Sequence, residues 1–333
     1  MLQSQLQRES LATVARMVRT QAPGSDLSHS YEAHQHPVHP RLKHIDISPR
    51  LLAAFFAEVR DIDVRNLQYV PFMRFILAGR LAHLIGDEFR EEIRNILVDR
   101  NHGGFTLGVR ETTTSDEDYV KLATAVSHLV GPANFDAMSG SYFARFVVKH
   151  TDDSDTYLRQ AYRPVALHTD GTYVEEATDW LLMMKIAERH AEGGESRLLH
   201  LDDWEGLALS SSHALASHRF TFKAAASKNV DRPVQRPIFW SDGSGLCVSH
   251  IDQFVHPKTL EQARYLFDLS QSLESSPAVR APRLPVGDLI MLNNRVWMHG
   301  RAPFQENEQL HRELMRLRGA FSSQAKDYRD QPL

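Results

Sequence analysis

The chain has 333 residues, 42% of them hydrophobic, enough to bury one large core or two modest ones. Its 38 basic and 42 acidic residues are spread along the chain and leave a formal charge of −4, so no basic block grips a phosphate backbone and nucleic acid is not an expected partner. A single cysteine, Cys247, excludes a disulfide framework and any cysteine-rich zinc or iron–sulfur site, and points to a reducing, cytoplasmic compartment.

No apolar run approaches the roughly 18 residues that span a bilayer, and the N-terminal stretch lacks the apolar core of a secretory signal, so no membrane association is expected. Leu2 to Gln21, rich in Ser and Arg with only Glu9 acidic, reads as an amphipathic helix, although that composition overlaps with organelle transit peptides. Ala22 to Pro40 carries His29, His34, His36 and His39 among three prolines and reads as a mobile linker, whose histidines lack a scaffold for specific metal binding. Residues 1–45 are thus an N-terminal helix and flexible His-rich linker, residues 46–333 a catalytic domain, and a chain beginning near His44 is expected to keep its chemistry.

From Arg50 to about Arg100 apolar residues recur at three- and four-residue steps, as in Leu51-Leu52-Phe55-Phe56-Val59, the pattern of helices with one buried face. A further helix over Glu117 to Val130 follows the cap Ser115. The catalytic domain is therefore helical to about residue 140. Strand character begins at Phe143 to Val148 and continues at Trp180 to Ile186. Pro237 to Trp240 and Leu246 to Val248 form a hairpin about Asp242-Gly243. Lys258 to Leu273 is a helical interruption, after which Asp288 to Met298 and Glu313 to Phe321 return to strand. The fold class is mixed α+β: a double-stranded β-helix, or jelly-roll, core with N-terminal and inserted helices.

Two side chains at i and i+2 on a strand share a face, so a His-x-Asp pair can bind one metal. That spacing recurs at His44/Asp46, His168/Asp170, His200/Asp202 and His250/Asp252 among others, and context separates them. Asp202 opens Asp202-Asp203-Trp204-Glu205, a capping box that commits it to structure. His250/Asp252 is a competitor because it can continue a strand. His168/Asp170 follows the apolar Val165-Ala166-Leu167 and precedes Gly171, a small residue that lets other groups approach a metal.

A third ligand comes from Gly287 to Arg301, where a turn launches a strand ending in His299. His168, Asp170 and His299 supply two imidazoles and one carboxylate on one face of Fe(II), leaving three positions for a chelating 2-oxo acid and O₂; zinc favours a tetrahedral site with at most one open position. Beyond them Arg312, Arg316 and Arg318 share parity, an expensive arrangement inside a barrel unless anions bind there, and a guanidinium holds a carboxylate bidentately.

The His-x-Asp, the Gly-Asp…Asn…His-Gly-Arg run and the arginine strand resemble the clavaminate synthase and taurine dioxygenase superfamily. Tyr119 to Val126, Asn134 to Gly140, Leu167 to Glu176 and His200 to Glu205 resemble, within it, the carbon-starvation-induced glutarate 2-hydroxylase family, from about Arg50 to Phe321. The resemblance implies a homotetrameric Fe(II)/2-oxoglutarate-dependent dioxygenase of lysine catabolism, hydroxylating glutarate to L-2-hydroxyglutarate as 2-oxoglutarate and O₂ yield succinate and CO₂. It implies that His168, Asp170 and His299 are the catalytic iron ligands. Ser196, after Gly193-Gly194-Glu195, stands where the superfamily has a threonine near the cosubstrate. Superfamily spacing puts the cosubstrate arginine at Arg312, matching the strand's end puts it at Arg318, and Arg316 is then left to the dicarboxylate substrate. Rival readings are the same iron chemistry on another small organic acid, and a non-catalytic jelly-roll that binds a metal or carboxylate.

Overall fold

The computed structural model describes residues 30–151 and 155–321; the helix expected over Leu2 to Gln21, His29 and most of the acidic loop from Asp152 lie outside them. The first described strand is already a departure from the sequence reading. Residues expected as a mobile linker form β1 (Tyr31–Gln35), paired antiparallel with β2 (Lys43–Ile47). Leu42, Ile45 and Ile47 are fully buried, which anchors the ribbon, whereas β1 lies at the sheet edge with a polar outer face and so gives no hydrophobic signal.

The expected helices follow as α1 (Pro49–Glu58), α2 (Val64–Tyr69), α3 (Phe72–Ile85) and α4 (Asp87–Val98). α1, α3 and α4 bury apolar stripes, such as Leu52, Phe55 and Phe56 on α1 and Phe89, Ile93, Ile96 and Leu97 on α4, whereas the short α2 buries Leu67. This helical third also holds β3 (Gly104–Gly108), a strand absent from the sequence reading. All of its residues are buried, so it shows no alternation between polar and apolar positions. α5 (Asp116–Val130) begins at Ser115, whose hydroxyl accepts the Asp118 amide.

The remaining elements are β4 (Ala144–Lys149), β5 (Val165–His168), β6 (Trp180–Arg189), β7 (Ser196–His200), α6 (Leu207–Ser212), β8 (Arg219–Phe222), β9 (Val234–Pro237), β10 (Phe239–Ser241), β11 (Leu246–Val248), β12 (Val255–His256), α7 (Leu260–Glu274), β13 (Asp288–Asn293), β14 (Trp297–Arg301) and β15 (His311–Gly319). A large mixed sheet runs β1-β2-β3-β13-β6-β15-β4, and a three-stranded sheet runs β5-β14-β7. β12-β8-β9 and the β10-β11 hairpin complete the described strands.

The large sheet is covered on both faces, which β6 makes plain. Trp180, Leu182, Met184 and Ile186 join the core beneath the helices, with Phe89, Phe105 and Met315. Leu181 and Met183 join the core on the other face, with Leu199, Ile290, Trp297 and Leu314. Two sequence expectations are corrected here. Asp288 to Met298 is not one strand: Asn293 Oδ1 accepts the Arg295 amide, and the resulting turn sends β13 into the large sheet and β14 into the small one. Asp202 caps no helix, because His200 Nδ1 accepts the Asp202 amide and the Asp202 carboxylate instead pairs with Arg100.

Candidate active site

β5 and β14 are hydrogen-bonded neighbours, and their register sets His168 directly opposite His299, with ring centroids 4.2 Å apart. Asp170 is brought in differently from the expected strand. β5 ends at His168 and the chain turns through Gly171 at φ +73°, where a Cβ would lie 2.0 Å from Thr178 Oγ1. Only glycine fits that turn. Asn294, in the turn between β13 and β14, locks it: its Oδ1 accepts the Asp170 amide at 2.9 Å, and its Nδ2 donates to the carbonyls of Asp170 at 2.9 Å and Thr178 at 2.8 Å.

One ligating atom from each of His168, Asp170 and His299 lies within 4.8 Å of the others, and all three residues are buried. His168 Nδ1–H donates to the Ala166 carbonyl at 2.8 Å, which leaves Nε2 as a lone pair 3.8 Å from Asp170 Oδ1. His299 Nδ1 is buried without a hydrogen-bond partner. Burial, then His168, pushes the His299 imidazole down to about 3, so it stays neutral and able to ligate. Burial alone would raise the Asp170 pKa, but Arg316, His299, His168 and Arg318 outweigh it and hold the carboxyl well below the usual range. An unpartnered imidazole nitrogen, a charged carboxylate and burial of all three side chains fit a divalent iron bound by His168, Asp170 and His299.

Two cavities meet at Arg316. One, of about 100 Å³, is lined by His168, Asp170, His299, Ser196, Arg301 and Arg312. The other, of about 340 Å³, is lined by Asp136, Tyr173, Lys228, Arg316 and Arg318, with Phe135 at its rim. Arg316 lines both, donates to Asp136 Oδ2 at 2.6 Å and lies 2.9 Å from Asp170 Oδ2 without the alignment of a hydrogen bond. Arg312 is buried with Nε unpaired, 3.8 Å from Glu188. Burial lowers its pKa, still to about 10, so it remains a cation. Arg318 keeps Nε and Nη1 unpaired and stands 4.0 Å from Asp136.

Lys228 is a functional candidate the sequence reading did not contain. It is 5% exposed, lines the larger cavity, and its Nζ meets Met138 Sδ at 3.5 Å rather than a carboxylate. Burial, then Arg316 and Arg159, pushes it down to about 8. A lysine in the single 3-10 turn Ala226-Ser227-Lys228 carries no periodic signal, so only the tertiary structure discloses its burial. The competing pair His250/Asp252 diverges: His250 Nε2 meets Ser270 Oγ at 3.2 Å, and Asp252 accepts the Tyr157 hydroxyl. Arg301 is also committed, donating to the carbonyls of Leu158, Gln160 and Arg163 and so closing that loop beside the smaller cavity.

This fold is that of the non-haem iron oxygenases. Asparagine oxygenase, in complex with Fe(II), 2S,3S-3-hydroxyasparagine and succinate, superposes with a TM-score of 0.67 over 84% of this chain and 93% of its own, at 15% identity. The non-haem iron oxygenase OrfP, in complex with Fe, succinate and (3S)-hydroxy-L-Arg, gives 0.63 over 86% and 95%, also at 15% identity. Within that class the chain belongs to the CsiD family, whose model matches residues 31–321. A glutarate 2-hydroxylase of Citrobacter koseri is 46% identical over 293 residues, 87% of this chain and 90% of that protein.

Proposed function

We propose that this chain is an Fe(II)/2-oxoglutarate-dependent dioxygenase that hydroxylates glutarate to L-2-hydroxyglutarate, with 2-oxoglutarate and O₂ yielding succinate and CO₂. The observation that carries the reading is the convergence of two imidazoles and one carboxylate beside cation-lined cavities. The kinship to the glutarate 2-hydroxylase of Citrobacter koseri supplies the substrate. We read the large sheet and β5-β14-β7 as the two halves of a jelly-roll, with the oxygenase domain starting at Tyr31. The family resemblance further supports a cytoplasmic homotetramer acting in lysine catabolism.

His168, Asp170 and His299 would hold the iron, which would supply Lewis acidity and the oxidising chemistry. The protein groups do the rest. Arg312, on the smaller cavity with His168 and His299, is suited to the distal carboxylate of 2-oxoglutarate, and Ser196 on the same wall to a hydrogen bond with it. On the larger cavity, Arg318, held only loosely by Asp136 at 4.0 Å, and Lys228, whose Nζ meets Met138 Sδ, are suited to glutarate. Arg316, already joined to Asp136, balances the Asp170 charge between the two anions. Burial of these cations excludes water and strengthens their grip on an anion.

An anaerobic spectrum with Fe(II) and 2-oxoglutarate should show a visible charge-transfer band, and aerobic turnover with glutarate should yield equal amounts of succinate and hydroxylated product by mass spectrometry. A charge-transfer band with succinate formation but no hydroxyglutarate would keep the iron chemistry and overturn the substrate. Absence of the band in iron-loaded protein would overturn the class.

A further inference from the structure

We propose that His34, His44 and Asp46 form a second metal site, for one zinc-class divalent cation, on the exposed face of the β1–β2 ribbon. Their ligating atoms lie within 4.8 Å of one another, and none belongs to the iron cluster. The register explains the convergence: His34 is directly opposite His44, and Asp46 is two residues further along β2, so all three project from one face. His44 Nε2 is 3.3 Å from Asp46 Oδ1, and His34 Nδ1 is 3.7 Å from Asp46 Oδ2. Two donors about 2.1 Å from a tetrahedral ion stand roughly 3.4 Å apart, so these separations need only small side-chain adjustment.

The site also has a supporting group. His44 Nδ1 is hydrogen-bonded at 2.7 Å to the hydroxyl of buried Thr106 on β3, which fixes the ring and turns Nε2 toward Asp46. His36 is not a fourth ligand: its Nδ1 accepts the amides of Val38 and His39 and is committed to that turn. Two imidazole nitrogens, one carboxylate oxygen and water complete a four-coordinate shell, and imidazole donors suit zinc better than calcium or magnesium. Among the described residues, the cation that competes for the carboxylate is Arg110, whose Nη2 lies 3.0 Å from Asp46 Oδ1. Its side chain is about half exposed and free to yield the carboxylate. Such an ion would clip the first strand to the rest of the sheet.

The test uses the full chain with His168→Ala and His299→Ala, so that the iron site contributes nothing, and zinc titrated against a chromophoric chelator. About one equivalent should bind and survive gel filtration. His34→Ala or His44→Gln should weaken it roughly ten-fold or more, and Arg110→Ala should tighten it. Unsubstituted protein should hold about two equivalents and fall to about one with His34→Ala, so the result does not depend on the double variant folding. Zinc that is not retained, or retained equally after His34→Ala and His44→Gln, overturns the site.

Discussion

Asn294 makes three hydrogen bonds to the turn that carries Asp170, one accepted and two donated. Replacing it with Ala leaves a buried amide and two carbonyls unpaired, at about 1–3 kcal/mol per unsatisfied group. Asn294→Ala should therefore lower unfolding stability by about 3 kcal/mol or more in denaturant titrations and weaken iron retention. Asn294→Asp should not rescue it, since a carboxylate cannot donate to the carbonyls. Unchanged iron affinity in a destabilised Asn294→Ala protein would show that the turn is positioned by other groups. The cavity cations give a sharper contrast. Removing one partner of a desolvated charge pair costs about 2–5 kcal/mol, roughly 30-fold or more in affinity. Arg312→Met should raise the KM for 2-oxoglutarate, whereas Lys228→Met and Arg318→Met should raise that for glutarate. Steady-state titrations of each acid separate these effects, and a Lys228→Met protein with normal glutarate saturation would remove Lys228 from the substrate site.

At the scale of elements, β5, β14 and β15 carry nearly all the chemistry, and each is legible for a physical reason. An apolar run ending in histidine marked β5, and same-parity arginines marked one face of β15, which the shared lining of Arg312, Leu314 and Arg316 reproduces. Period-two logic selected Asp170 beside His168, yet the carboxylate arrives from a turn, because spacing fixes neighbours and not the local path. β3 and β1 escaped notice for opposite reasons: one is buried on both faces and the other is a polar edge. Asp136 and Lys228 come from separate loops and meet only in three dimensions. The turn after β5 makes its own prediction. Gly171→Ala meets both a left-handed backbone and Thr178, so it should displace Asp170 and cut iron-dependent turnover strongly. Gly171→Ala/Thr178→Ala relieves the clash but not the backbone strain and should recover activity only partly; full activity in Gly171→Ala alone would show that the turn tolerates another path.

Across the whole molecule, acid and the N-terminal ribbon are the points of weakness. Burial pushes His39 and His128 down to about 4, so both are neutral in the folded protein. Below their unfolded value of about 6.5 the unfolded chain binds more protons; the stability these groups confer is complete above that pH and is lost as the pH falls toward 4. Thermal midpoints of the metal-free protein should fall steeply between pH 6.5 and 4, and His128→Gln should make that slope shallower. His39 also belongs to the segment expected to be dispensable. Its ring packs on Trp297, two residues from His299, with centroids 4.9 Å apart. Arg41 holds Asp203 through hydrogen bonds of 2.6 and 2.8 Å, and Leu42 is fully buried. A chain starting at Tyr31 keeps all of these contacts, whereas one starting at His44 loses them together with β1. Emptying a Leu site alone costs about 2–5 kcal/mol, so the shorter chain should melt well below the longer one and hold iron less tightly. Equal melting temperatures and iron content in the two would mean that the β1–β2 ribbon contributes nothing to the site it packs behind.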